Sequence, residues 1–170
     1  VVTGYAAHEP RIFGTRQLPH DERYRQSAEF VDILERLWAA TDNLSLQGEH
    51  WQLENAYVTP RPLYGRPLLV NATGSAAGFA FAARHSDLVF ITSPAGAQFE
   101  PALAALPAHV GRLREEAAAQ GRTVRALINP MVVCRPTEAE ARRYHQDILR
   151  HADDAAVDGF VASMQGGDSQ

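Results

Sequence analysis

Short apolar runs and segments of helical periodicity alternate along the chain. A helix is predicted over 21–40, with Asp21 as its N-cap. Its apolar positions recur at helical spacing: Tyr24, Ala28, Val31, Leu34 and Trp38. Further helices are predicted over 75–84, 100–120 and 137–152, and apolar runs predict strands over 1–4, 67–71, 87–91 and 123–134.

The remaining segments carry turn residues or prolines. The stretch 45–65 is interpreted as an excursion in the form of a short hairpin, whereas 5–20 and the tail 164–170 are predicted loops. Pro107 is expected to interrupt or bend the helix over 100–120. Pro130 is expected to shorten the last strand or to introduce a bulge.

Four strand–helix units follow from this alternation. Strands that are apolar on both faces and joined by helices form a parallel sheet covered by helices. The predicted fold class is α/β, either a segment of a (β/α)8 TIM barrel or a small doubly wound sheet, in one domain over 1–170. In both folds ligands bind at the carboxyl ends of the strands. Half a barrel would expose two sheet edges, so we expect a segment of a longer protein.

Composition excludes several classes of function. The chain has 170 residues, 21% charged residues and a net charge of -4, which argues against nucleic-acid binding by bulk charge. All 16 basic residues are arginine, so this segment holds neither a P-loop lysine nor a Schiff-base lysine. No apolar run is long enough to cross a membrane. Cys134 has no partner for an internal disulfide, which favours a reducing compartment, and we expect it in the core.

Polar residues cluster where two predicted strands end. Thr73, Gly74 and Ser75 lie where a strand passes into a helix, and free N–H groups at such a helix start suit a phosphate. The alternative is a plain N-cap by Ser75. Thr3 and the nearby Glu9 could hydrogen-bond a heterocycle or a ribityl chain, and the alternative is a turn with a solvated carboxylate.

Charged residues also crowd the start of the first predicted helix, in "PHDERY". Arg23 could bind a phosphate or carboxylate with two parallel hydrogen bonds, with Tyr24 beside it. The alternative is a capped, charged first turn with Tyr24 in the core. None of the seven histidines has a second ligand at metal-binding spacing, so no metal site is predicted.

Together these motifs resemble the bacterial-luciferase-like FMN-dependent monooxygenases, which include pyrimidine, dimethyl-sulfone, alkanesulfonate and nitrilotriacetate monooxygenases. The resemblance runs through "PHDERYRQSAEFVDILERLW", "GEHWQLENAYVTPRP", "RPLLVNATGSAAGFAFAARHSDLVFIT" and "ALINPMVVCRPTEAEA", in the family's order. It covers nearly the whole chain. It implies the middle part of a larger TIM barrel whose flanking strands lie outside this sequence.

The resemblance also implies a cofactor site and a type of reaction. It assigns contacts with reduced FMN to seven residues: Thr3, Glu9, Arg23, Tyr24, Thr73, Gly74 and Ser75. Reduced FMN would come from a separate flavin reductase, and O2 and a small organic substrate would react beside it. The resemblance implies a cytoplasmic homo-oligomer, a dimer or a tetramer.

Substrate-side residues are suggested only weakly. His20 and Asn129 are the candidates, and no catalytic residue is assigned. Asn129 and Met131 stand where the sulfonate enzymes carry an arginine and a histidine, which favours a neutral or heterocyclic substrate. Three alternatives remain: an enzyme of the same fold that transfers hydride with the deazaflavin F420, a flavin-binding protein without catalysis, and a small phosphate-binding module.

Overall fold

The computed structural model describes residues 1–4, 9–95 and 98–165, apart from the side chains of 164 and 165. Its elements in chain order are α1 Glu9–Ile12, α2 His20–Ala39, β1 Leu44–Gln47, β2 Gln52–Ala56, β3 Val70–Thr73, α3 Ala76–His85, β4 Leu88–Ile91, α4 Phe99–Ala119, β5 Arg125–Leu127, α5 Glu138–Arg150 and α6 Asp154–Gln165. The described residues form two compact units. The first comprises Val1–Gly4 and Gln17–Ile128, and the second comprises 9–16 and 129–165.

A parallel sheet in the order β3-β4-β5 organises the first unit. Val70 to Thr73 pair with Leu88 to Ile91, and β4 pairs with β5 through Phe90 and Leu127. One face of the sheet is covered, because Val89 and Ile91 pack with Phe79 of α3 and Leu113 of α4. The α/β class predicted from the sequence is therefore confirmed.

The opposite face of the same sheet is open. Ala72 on β3 is exposed, and Phe90 on β4 is 41% exposed, although both lie between buried neighbours along their strands. Successive side chains along a strand point to opposite faces of the sheet. The buried positions on β3 and β4 therefore belong to the covered face, and the exposed positions between them belong to the open face. In a closed barrel this second face points inward.

An ionic cluster holds the amino ends of β3 and β4 together. One oxygen of Asp87, Oδ2, accepts hydrogen bonds from Leu69 N–H at 2.8 Å and from Arg66 Nη1 at 2.6 Å. Arg66 also donates to the carbonyl of His85 and to Glu35 Oε1. The side chain of Asp87 thus links the start of β4 to the residues just before β3.

The predicted hairpin is confirmed. β1 and β2 pair antiparallel, with Leu46 opposite Leu53 and Gln47 opposite Gln52. The turn between them is held by the carboxylate of Glu29, which lies on α2 and accepts from His50 N–H at 2.9 Å and from Trp51 N–H at 3.3 Å. The excursion is therefore anchored to the long helix.

The helix predictions need two corrections at individual residues. Pro19, not Asp21, occupies the N-cap position of α2, which begins at His20. Pro107 lies inside α4 without interrupting it. The reason is tertiary packing: Leu106 precedes the proline and Val110 follows it, and both lie against the core.

The strand predictions need corrections as well. Residues 1–4 form no strand, although the Val1 amino group donates to the carbonyl of Val70. The run over 67–71 pairs as Val70–Thr73, because the register with β4 decides which residues join the sheet. The run over 123–134 gives only Arg125–Leu127, whose last residue pairs with Phe90. Pro130, further along the run, lacks the N–H that continued pairing would need.

The second unit contains α1, α5 and α6, of which only α5 was predicted. Its capping box is present, because Glu140 N–H donates to Thr137 Oγ1 at 3.3 Å and Thr137 N–H donates to Glu140 Oε2 at 3.0 Å. Cys134 is exposed and not in the core, because the strand ends before it. Residues 166–170 of the predicted tail lie outside the described residues. Within the described ranges, no helix combines the length and the apolar character that a membrane span requires.

Candidate functional site

The candidate site residues divide between the two units. Seven lie in the first unit: Thr3, His20, Arg23, Tyr24, Thr73, Gly74 and Ser75. Glu9 and Asn129 lie in the second unit, and both are exposed. Of the seven, the structure brings Tyr24, Thr73, Gly74 and Ser75 to one place, where β3 ends and α3 begins.

The start of α3 is an open helix N-terminus. Ser75 is the N-cap, and its Oγ accepts from Gly78 N–H at 3.1 Å. The plain capping role considered for Ser75 is thus present. It uses a lone pair of the hydroxyl and leaves the O–H free to donate. The N–H groups of Ala76 and Ala77 belong to the first turn, which has no acceptors within the helix. An anion at this point would meet several donors and the positive end of the helix dipole.

Two glycines near this turn differ in their surroundings. A Cβ placed on Gly74 would meet nothing within 4 Å, so the space beside its backbone is open. A Cβ on Gly78 would lie 1.6 Å from Thr73 Oγ1 and 2.7 Å from the Tyr24 hydroxyl. Gly74 leaves room for a ligand, whereas Gly78 is required by the packing of the protein itself.

Tyr24 connects α2 to the end of β3. Its hydroxyl lies 3.4 Å from Thr73 Oγ1, and its ring lies 5.8 Å from that of Phe81. The ring of His20 meets Tyr24 edge-on at 5.2 Å, and His20 Nδ1 lies 2.8 Å from Asp21 Oδ1. The side chain of Thr73 is buried against α2 and α3. Its hydroxyl lies against Gly78 of α3 and Tyr24 of α2.

Arg23 is buried, with only 6% of its surface exposed. Its Nη1 donates to the carbonyl of Leu18 at 2.7 Å, which ties the segment before α2 to the first turn of the helix. A guanidinium keeps its charge at any physiological pH. Arg23 therefore places a fixed positive charge next to Tyr24 in the chain.

Asn71 is a candidate site residue that the sequence interpretation overlooked. It is 2% exposed, and it shares the covered face of β3 with Thr73. Its Oδ1 accepts from Ala72 N–H at 2.8 Å, but its Nδ2 has no hydrogen-bond partner among the described residues. Buried amide groups are seldom left in this state. The available signal was the Asn in "VNATGS", a polar residue within an apolar run.

Comparison with known proteins identifies the family to which the chain is similar. The model of the luciferase-like monooxygenase family matches residues 1–168. The chain is 35% identical over 166 residues to an FMNH2-dependent dimethylsulfone monooxygenase of Pseudomonas putida, covering 97% of this chain and 44% of that protein. It is 33% identical over 174 residues to the pyrimidine monooxygenase RutA of Acinetobacter baylyi, covering 98% and 44%.

A solved structure agrees with the fold. A riboflavin lyase crystallised with modified FMN and riboflavin superposes with a TM-score of 0.73 at 24% identity, covering 85% of this chain and 36% of that one. The first unit's parallel sheet and helices thus correspond to a segment of a TIM barrel, as the sequence predicted. The chain spans less than half the length of these curated relatives.

Proposed function

The chain belongs to the luciferase-like monooxygenase family, and we propose that the complete protein is a flavin-dependent monooxygenase. It would use reduced FMN and O2 to oxygenate a small organic substrate. Two kinds of support exist: the similarity to FMNH2-dependent enzymes over 97% of this chain, and the chemistry of the helix start after β3. In this proposal residues 1–170 are part of one barrel domain.

The observation that carries the proposal is the open N-terminus of α3. Gly74 has empty space beside its backbone, Ser75 has a hydroxyl proton to donate, and Ala76 is exposed. This donor set fits a phosphate, because backbone N–H groups and a helix dipole stabilise an anion without a lysine. The residues present therefore fit the phosphate end of FMN.

The remaining residues have proposed roles around this anchor. Tyr24, whose hydroxyl lies at the end of β3, would orient the cofactor. The positive charge of Arg23 would favour binding of the anionic phosphate. Thr3 and Glu9 would hydrogen-bond the ribityl chain or the ring. Reduced FMN, when bound, supplies the electrons for O2 activation. The chain's part is to hold the cofactor and to keep water from the reacting centre.

Substrate, partner and location follow from the same proposal. Asn129 and the exposed Met131 carry no charge, which favours a neutral or heterocyclic substrate over a sulfonate. His20 is the second substrate-side candidate. A separate reductase would supply reduced FMN, and the protein would act in the cytoplasm as a dimer or tetramer. The exposed thiol of Cys134 is compatible with a reducing compartment.

The test uses the complete protein with reduced FMN generated by a flavin reductase. We expect substrate-stimulated O2 uptake with a panel of neutral sulfur compounds and nitrogen heterocycles, and one atom of labelled oxygen in the product. Failure to bind any flavin would overturn the proposal. Binding of F420 in place of FMN would support hydride transfer, and tight FMN binding without turnover would support a non-catalytic flavoprotein.

A further inference from the structure

A group of potential metal ligands lies where the hairpin meets α2. Glu22 on α2 and Glu49 and His50 in the turn between β1 and β2 each offer one ligand atom, and these atoms lie within 4.8 Å of one another. His50 Nε2 lies 3.0 Å from Glu22 Oε1. Within the described part of the chain, no other set of three or more such residues is this close.

The turn that carries Glu49 and His50 is held in place by a different carboxylate. Glu29 lies seven residues after Glu22 on α2 and accepts the N–H groups of His50 and Trp51. This approach depends on Gly48, where a Cβ would lie 1.6 Å from Glu29 Oε1. Glu29 and Gly48 thus position the turn, and Glu22 remains available to face the imidazole.

The imidazole of His50 faces Glu22 from the turn of the hairpin. Its side chain is 13% exposed, and Nε2 is buried without a hydrogen-bond partner among the described residues, although Glu22 Oε1 is 3.0 Å away. The two atoms are close without the geometry of an N–H···O bond. Ligands at about 2.0–2.1 Å from a tetrahedral zinc ion lie about 3.4 Å apart, so a small adjustment would let both bind one ion.

We propose that Glu22, Glu49 and His50 bind a divalent transition-metal ion, with Zn²⁺ as the best match. One imidazole and two carboxylates suit Zn²⁺ better than Mg²⁺ or Ca²⁺, which prefer oxygen ligands alone. Glu22 also pairs with Arg25, so the ion competes with one local cation and the affinity is moderate. Bound metal fastens the hairpin to the first turns of α2. The sequence analysis predicted no metal site, and the proposal departs from that prediction.

The experiment measures Zn²⁺ binding to the metal-stripped complete protein and to single variants. We expect the wild type to bind one more Zn²⁺ ion at micromolar concentrations than His50→Gln does, and to gain thermal stability with Zn²⁺. His145→Gln is the matched control, because His145 is an exposed histidine on α5. It should bind like the wild type.

A second variant and a second metal ion distinguish a loss of metal binding from a loss of folding. Glu49→Gln changes an exposed side chain and should weaken Zn²⁺ binding at least tenfold while leaving the circular dichroism spectrum unchanged. Co²⁺ in place of Zn²⁺ should give visible absorption bands that His50→Gln lacks. Equal Zn²⁺ stoichiometry and affinity in the wild type, His50→Gln and Glu49→Gln would overturn the proposal. The contact between Glu22 and His50 would then be an ordinary ion pair.

Discussion

Replacing Gly78 by alanine tests how tightly α3 is packed against the end of β3. An ideal Cβ at this position would lie 1.6 Å from Thr73 Oγ1 and 2.8 Å from Thr73 Cβ. Rotation of the Thr73 side chain can move the hydroxyl, but Thr73 Cβ moves only with the backbone of β3. The added methyl group must therefore push α3 away from the strand.

The expected magnitude is the difference between two opposing effects. Glycine to alanine in a helix interior stabilises by about 0.5–1 kcal/mol when the space is free. Overpacking a filled site costs about 1–3 kcal/mol, and the contact with Thr73 Cβ places Gly78→Ala in the upper part of that range. We expect a net loss of about 1–2 kcal/mol in the free energy of unfolding.

Gly111 provides the matched control. It also lies inside a helix, α4, but a Cβ there would meet nothing within 4 Å. Gly111→Ala should therefore raise the free energy of unfolding by about 0.5–1 kcal/mol. Urea denaturation of the complete protein measures both variants. Thr73→Ala combined with Gly78→Ala should recover part of the loss, because it removes the hydroxyl contact. Unchanged or increased stability in Gly78→Ala would refute this reasoning.

Asp87→Ala should lower the free energy of unfolding by about 3 kcal/mol, because hydrogen bonds from Leu69 and Arg66 to a charged group are lost. A loss below about 1 kcal/mol in urea denaturation would contradict the stabilising role of the ionic cluster at the amino ends of β3 and β4. Burial opposes ionisation of Asp87, but the Leu69 N–H and the Arg66 guanidinium outweigh it and hold the pKa of this carboxyl below its ordinary value of 3.8. Its contribution should be complete above that value and disappear as the pH falls through the lower folded pKa. Burial lowers the pKa of His85 from its ordinary value of 6.5, with partial compensation by Asp32, so stability should fall as the pH drops below 6.5. Thermal unfolding between pH 7 and 5 should show a smaller decrease in His85→Gln than in the wild type, and equal slopes would contradict this cause.

Local signals were sufficient for much of the fold. The helix over 21–40 could be predicted because its apolar stripe is long, and α5 because Thr137 and Glu140 form a capping box within four residues. α6 was missed although a similar signal exists, since Asp153 Oδ1 accepts from Ala156 N–H at 3.0 Å. The first and last residues of the strands were harder to predict from the sequence. The pairing of Val70–Thr73 with Leu88–Ile91 sets them, and pairing is not a local property.

The candidate site divides in the same way. The role of Ser75 as helix cap could be predicted from its place between an apolar run and a helix. Tyr24 and Thr73 are 49 residues apart in the sequence, so the local sequence pattern around either residue could not predict their contact. Gly78 looked like one more small residue in "GSAAG", and only the close approach of Thr73 and Tyr24 shows why it must be glycine. The group of Glu22 and His50 was hidden for the same reason, because a hairpin brings them together.

The central claim is that the N-terminus of α3 binds the phosphate of FMN, and riboflavin, which lacks the phosphate, is the discriminating ligand. The measurement is the anaerobic dissociation constant of reduced FMN and of reduced riboflavin for the wild type, Ser75→Ala and Ser75→Asp. Ser75→Asp retains a capping side chain but adds negative charge beside the phosphate. Since a hydrogen bond to a charged group contributes about 1.5–3 kcal/mol, both variants should bind FMN at least about tenfold more weakly. Riboflavin affinity should stay unchanged in both. Equal losses for FMN and riboflavin, or no loss for FMN, would contradict the account.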